Sequence, residues 1–401
     1  MAEGANIVWA DEPGEVTGPL RGVRVLDLTT VLMGPSATQA LGDMGANVIK
    51  VETQDGDTMR WIGPWRHAGM GPLYLAANRN KSSLVLDLKT PEGKAAILAL
   101  AAQADVLVSN VRPAGMARLG LDYAAVASVN PNIIYCAAVG YGSFGPNAGK
   151  AVYDDLMQAA SGIAGLFGRV DGAPRYAPIN LCDRIVGLHV VNAITAALYH
   201  RAMTGEGQEI EVPMFETMAQ FVLADHVGGY AFAPPEGGTG YNRLLARTRG
   251  PYPTQDGYLA LVVYSNKHWE AFTRLVGCPD LLREDSRFAS QESRTKNAED
   301  CGRFLATHLP TRTTADWLEA LHGIDIPACQ VNALEDLFSD PHLQAVDFFA
   351  EMQHPTEGAL TVPRHSVRFA KTPANIRRLA PNLGEHNGEI LRRAGPEDGE
   401  T

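Results

Sequence analysis

Across residues 23–52, VRVLDLTTVLMGPSATQALGDMGANVIKVE, the spacing of apolar positions changes period twice. Residues 23–28 alternate branched apolar side chains with Arg24 and Asp27 in the manner of a strand, and residues 48–51 are β-branched again. Between them Gly34-Pro35-Ser36 is a turn that can open a helix. The unit is half of a parallel sheet, and amides left unpaired at such a strand-to-helix turn suit an anionic ligand. Further strands are predicted at 83–88, 106–109, 133–139 and 208–212. Thr90-Pro91-Glu92 opens an alanine- and leucine-rich helix, with Thr90 as cap and Pro91 in the first turn. Residues 184–201, RIVGLHVVNAITAALYHR, read as a buried helix. After about residue 225 the texture changes. PPEGGTG at 234–240 reads as a linker or loop, a strand is expected at 257–264 and a helix at 267–276, and a tail with helical segments and the basic pair Arg377-Arg378 runs from 330.

The chain has 401 residues, 45% hydrophobic and 20% charged, enough for a large core and for more than one domain. Its net charge of -11 argues against a general nucleic-acid or anionic-membrane surface, so a phosphate-bearing ligand must be met by local Lys and Arg. The opening MAEGANIVWADEPG lacks a basic start and an apolar core, and no uninterrupted apolar stretch reads as long enough to span a bilayer; a cytoplasmic, non-membrane protein is expected. Five cysteines, Cys136, Cys182, Cys278, Cys301 and Cys329, are scattered without close pairing and read as free thiols. His189 and His200 read as packing or hydrogen-bonding residues of the apolar helix. His268, His342 and His386 are too dispersed to suggest a metal site, so none is expected.

Two motifs carry candidate chemistry. Gly140-Tyr141-Gly142-Ser143-Phe144-Gly145 fits the dinucleotide pattern G-x-G-x-x-G, yet Pro146-Asn147-Ala148-Gly149 follows where a helix should start, and no ribose-holding acid is clearly placed. Asp183, ahead of the long apolar run, reads either as a helix N-cap or as a carboxylate nucleophile; a helix start favours its ionised form, so the roles can coexist.

The run VLDLT, then GPSATQALGDMGANVIKVE, NRNKSSLVLDLKTPEGK, LGLDYAAVASVNPNIIY, GYGSFGP, RAMTGEGQEIEVPMFE, RGPYPTQDGYLAL and the closing LGEHNGEIL resembles the class III CoA-transferases over nearly the whole chain. That family includes formyl-CoA transferase, carnitine CoA-transferases and the related α-methylacyl-CoA racemases. The resemblance implies an α/β protein with a large doubly wound, Rossmann-like domain at 1–225, a smaller mixed α/β domain at 226–329, and a segment at 330–401 returning to the large domain. It further implies an interlocked homodimer.

The activity implied is CoA transfer from an acyl-CoA thioester to a small carboxylic acid through covalent aspartyl intermediates. CoA then serves as substrate and product, with no permanently bound cofactor. Asp183 falls at the family's catalytic aspartate. Val31, Leu86, Lys89, Asn110, Val111, Arg118 and Leu119 fall on CoA-contact positions, Lys89 and Arg118 being suited to phosphates. Tyr153 and Asp154 fall in the thioester region. In the racemase branch the position of Tyr153 is a histidine that exchanges an α-proton, and tyrosine is a poor base, with a pKa of about 10. Two departures bear on substrate: Thr53 stands near a nucleotide-contacting arginine of formyl-CoA transferase, and Leu32 replaces a glutamine. The glycine-only loop of that enzyme is also missing, Gly237-Gly238-Thr239-Gly240 being a shorter analogue. An acyl-CoA racemase and a non-catalytic CoA-binding subunit are the alternatives. Donor and acceptor are not fixed by these residues.

Overall fold

The computed structural model describes residues 5–393, which fall into two compact units. The first comprises residues 5–161, 177–220 and 345–393, the second residues 162–176 and 221–344. The second unit is therefore larger than the region expected at 226–329. It takes in the helix Ile163–Asp171, whose Arg169 donates to the Thr239 carbonyl at 2.9 Å, and it extends beyond the strand Ala328–Gln330, where Val331 N–H bonds the Tyr258 carbonyl. Both ties join residues far apart in sequence, which local pattern does not register.

The first unit is built on a parallel sheet of β1 (Arg24–Leu28), β2 (Asn47–Glu52), β3 (Lys81–Val85), β4 (Val106–Ser109), β5 (Ile134–Val139) and β6 (Gln208–Pro213). Their order is β3-β2-β1-β4-β5-β6. Leu26 of β1 stands opposite Ile49 and Leu107, and all three are fully buried, as expected for strands whose two faces are both covered. The direction of winding reverses at β1, so a crevice opens at the carboxyl ends of β1 and β4, where doubly wound sheets bind ligands.

Four helices frame that edge: α1 (Met33–Asp43), α2 (Pro91–Ala101), α3 (Asp154–Ala160) and α4 (Leu181–Thr204). Thr90 caps α2 by accepting the Gly93 N–H at 3.1 Å, with Pro91 in the first turn. α1 starts at Met33, so Gly34, Pro35 and Ser36 lie inside its first turn rather than before it. α1 packs on α4 at Gly187, where a Cβ would stand 2.9 Å from the Met33 carbonyl oxygen; only glycine permits this approach. α3 and the helix Ile163–Asp171 are separated at Gly162, with φ +95°.

Contrary to the sequence reading, α4 is by length and mean hydropathy (1.4) apolar enough to cross a membrane. Asp183 and Arg184 occupy its first turn, however, and Val186, Gly187, Val190, Ile194 and Ala197 form the buried stripe of a helix packed within a domain. His189 and His200 lie on its exposed side, not in the packing, and His189 Nδ1 hydrogen-bonds the Ile185 carbonyl at 3.0 Å. The tail carries an antiparallel hairpin, Phe349–His354 with Gly358–Pro363, and a strand Leu391–Arg393 that pairs with Ala5–Ile7. Arg377 and Arg378 fasten this tail to the N-terminal part of the same unit. Arg377 bonds Glu12 at 3.0 Å and the Gly42 and Ala46 carbonyls, and Arg378 the Asp11 carbonyl.

In the second unit Tyr258–Leu261 is the central strand of a three-stranded antiparallel sheet, between Ala328–Gln330 and Tyr252–Pro253. Helices Asn266–Leu275, Ala298–His308 and Thr314–His322 cover an aromatic core in which Phe272 stacks on Trp317, centroids 6.2 Å apart.

Candidate active site

At the reversal point the loops after β1 and β4 are tied together. Asn110 accepts the Thr30 N–H at 3.0 Å and returns a bond to the Thr30 carbonyl at 2.8 Å. The next residue, Val31, has φ +70°, a left-handed conformation that a β-branched side chain resists at a cost of about 1–3 kcal/mol. A buried ionic network beneath the loop holds it there. Val31 N–H donates to both oxygens of Asp57 at 3.1 and 3.2 Å, Asp57 pairs with Lys50 at 3.1 Å, and Lys50 also donates to the Thr29 carbonyl at 2.7 Å. Beside them Glu52 pairs with Arg60 at 2.7 Å, and Asp27 takes bonds from Thr29, Thr38 and Lys81. Burial alone would raise the Asp27 carboxyl, but Lys81, Lys50 and the two hydroxyls hold it at about 2.

Asp183 lies in the first turn of α4. It is not the N-cap, which is Asn180 without a side-chain bond; the Asp183 N–H is capped from another segment, by Asp154 Oδ1 at 2.9 Å. The second oxygen of Asp154 accepts from Gln158 at 2.7 Å, and Gln158 in turn accepts the Ala177 N–H at 2.8 Å and donates to the Ile179 carbonyl. Asp154 and Gln158 are buried, so the start of α4 is held against α3 by a polar relay. Burial, then the neighbouring Asp154 carboxylate, push the Asp183 carboxyl up to about 6, with Arg184 opposing them. Arg184 is directed to Ser36 of α1 at 2.6 Å. The adjacent Cys182 is no competing nucleophile: burial and the nearby carboxylates raise its thiol to about 12.

The other candidate residues divide by exposure. Val31 and Asn110 meet at the crevice; Val111 follows, exposed, its N–H on Ser109 Oγ at 3.1 Å. Leu86 is buried in the core beneath the sheet edge and Leu119 packs against the same core, so neither offers its whole side chain to a ligand. Lys89, after β3, and Arg118, on the helix Pro113–Leu119, are exposed. Tyr153 is 68% exposed at the start of α3. A cavity of about 300 Å³ lies beside Val111 and Met116, but Asp122, Glu209 and Glu211 also line it, an unsuitable setting for phosphates.

The G-x-G-x-x-G segment forms no phosphate loop. No helix follows until α3, and its amides are already engaged, Gly142 N–H by Glu216 at 3.0 Å and Ser143 N–H by Glu211 at 2.9 Å. The sequence reading missed Lys50, Asp57, Gln158 and the capping action of Asp154. The available signal was the pair Lys50 and Glu52 on a strand of a sheet expected to be buried on both faces, where ionised residues need partners.

The description "CoA-transferase family III" fits residues 20–387. A succinate–glutarate CoA-transferase of Agrobacterium fabrum is 34% identical over 386 residues, covering 93% of this chain and 95% of its own. A succinyl-CoA:glutarate CoA-transferase of Mus musculus is 33% identical over 396 residues, covering 97% and 90%. Among solved structures, a CAIB/BAIF family protein from Brucella suis superposes with a TM-score of 0.79 at 31% identity, covering 93% of this chain and 98% of that one.

Proposed function

The chain belongs to CoA-transferase family III, and from that premise we propose that it moves CoA from a dicarboxylic acyl-CoA of the succinyl-CoA type to a second short dicarboxylic acid, with Asp183 as covalent nucleophile. The dicarboxylate preference rests on the names of the relatives, which pair succinate or succinyl-CoA with glutarate. Leu32, where formyl-CoA transferase has glutamine, turns the reading away from formyl or oxalyl substrates.

The observation that carries the mechanism is a half-buried carboxylate at a helix start, its backbone fixed by Asp154. Asp183 attacks the donor thioester carbonyl and expels CoA thiolate, leaving a mixed anhydride. The thiolate attacks the aspartyl carbonyl, releasing the donor acid and forming an aspartyl-CoA thioester. The acceptor carboxylate displaces the thiolate to give a second anhydride. The thiolate then attacks the acceptor acyl carbon, and Asp183 is regenerated. Every intermediate keeps an activated acyl bond, so the site must exclude water.

Val31, Leu86, Asn110, Val111 and Leu119 serve as the contact surface for CoA at the carboxyl edge of the sheet. Tyr153 and Asp154 flank the thioester. Lys89 and Arg118 face the phosphates; neither forms an ion pair among the described residues, which leaves both available. A homodimer is part of the proposal. Leu188, Tyr199 and Met203, 64, 70 and 69% exposed, share one side of α4 and suit cover by a second copy. Racemase chemistry lacks its second base: Tyr153 stands at the histidine position, and among the described residues no histidine is hydrogen-bonded to Asp183 or Asp154.

Incubation with succinyl-CoA and a panel of mono- and dicarboxylates, in heavy water, with mass spectrometry of products tests the reading. Glutaryl-CoA without α-deuterium is expected. Deuterium incorporated without an acceptor acid, and no new thioester, would overturn it.

A further inference from the structure

The second unit holds a cavity of about 480 Å³, the size of a small-molecule site. Its lining includes three arginines, Arg243, Arg249 and Arg294, and, among the described residues, no aspartate or glutamate, in a chain whose net charge is -11. Arg294 is 5% exposed. Among the described residues its terminal nitrogens bond only neutral acceptors: the Phe288 carbonyl at 2.7 Å, Gln291 at 3.3 Å and the Asn266 side chain. Its Nε is buried with no hydrogen-bond partner, and the guanidinium lies over Trp269 at 5.7 Å. A buried cation with no counter-ion among the described residues is unfavourable until an anion arrives. Leu261, Val263, Trp269 and Leu305 supply an apolar wall beside it.

From this juxtaposition we infer that the second unit binds an organic carboxylate with a short apolar body, its charge met by Arg294, Arg243 and Arg249 and its carbons by the Trp269 wall. The inference rests on the second unit alone and does not depend on the CoA-transfer reading. Fork-shaped guanidinium donors match a carboxylate, and none of the three arginines has a carboxylate partner among the described residues. Inorganic phosphate would satisfy the charges but leave the apolar wall empty.

Cys329, exposed and lining the same cavity, gives a local readout. The full-length protein is alkylated with iodoacetamide, and labelling of each cysteine is followed by peptide mass spectrometry. Hexanoate is expected to slow labelling of Cys329 saturably while leaving Cys278, outside the cavity, unchanged. Hexanamide, the neutral isostere, should require at least about tenfold more for the same protection. Arg294→Gln should weaken hexanoate by at least about tenfold; Arg249→Gln, at an exposed position where folding is not at issue, should weaken it measurably. Absent protection, equal protection by hexanamide or by phosphate, or an unchanged half-protecting concentration in Arg249→Gln would overturn the inference.

Discussion

Replacing Asp183 by asparagine should stabilise the protein while abolishing transfer. The carboxyl rises from an ordinary value of 3.8 to about 6, through burial and the proximity of Asp154. That rise corresponds to about 3 kcal/mol of preference for the protonated form in the folded state. Residual solvent screening and the favourable helix start trim it to roughly 1–3 kcal/mol. The sign follows from proton uptake: between 3.8 and about 6 the folded state binds more protons than the unfolded one, so wild-type stability falls as pH rises through that window. Below it the carboxyl is neutral in both states; above it the penalty is complete. Asparagine is neutral throughout and leaves the backbone N–H that Asp154 accepts. Urea unfolding of both proteins at a series of pH values is the assay. The advantage of Asp183→Asn should grow between about pH 4 and 7 and then level off. A difference independent of pH, or a variant less stable at neutral pH, would refute the idea that the site strains this carboxylate.

The same shift governs activity: kcat/KM for the thioester should rise about tenfold per pH unit below about 6 and flatten above it, and Asp154→Asn should move that limb to lower pH by removing the neighbouring charge. Asp57→Ala removes the carboxylate bonded to Lys50, leaving it the Thr29 carbonyl and the charges of Asp27 and Glu52, and should cost about 3 kcal/mol in urea unfolding, whereas Asp57→Asn, which keeps an acceptor for the Val31 N–H, should cost less and mainly raise KM for acyl-CoA. Neutralising Lys89 or Arg118 should raise KM for acyl-CoA far more than it lowers kcat, and leave a pantetheine thioester unaffected; equal losses on both substrates would remove them from the phosphate site.

The parallel sheet was legible because strands covered on both faces read as apolar runs: residues 106–109 coincide with β4, and Thr90-Pro91 marked the start of α2. Asp183 was legible as a carboxylate at the start of a long apolar helix. Its true cap was not, because Asp154 lies 29 residues away on a separate helix. Lys50, Asp57 and Arg60 were hidden for a related reason: a charged side chain reads as solvated unless its partners are known, and these partners meet only after β2 and the following loop have folded. The smaller unit's reach to residues 162–176 and 344 depends on contacts between distant segments, to which local periodicity is blind.

The covalent role of Asp183 is tested most directly by tracing oxygen. In the proposed sequence the acceptor acid leaves one carboxylate oxygen on the aspartate at each turnover, and the next donor acid carries an aspartate oxygen away. The protein is turned over with succinyl-CoA and glutarate bearing oxygen-18 in its carboxylates, then digested, and the peptide containing Asp183 is weighed. The account predicts heavy oxygen in the Asp183 side chain and, over further turnovers, in the released succinate. Transfer at the normal rate with Asp183 unlabelled would contradict it.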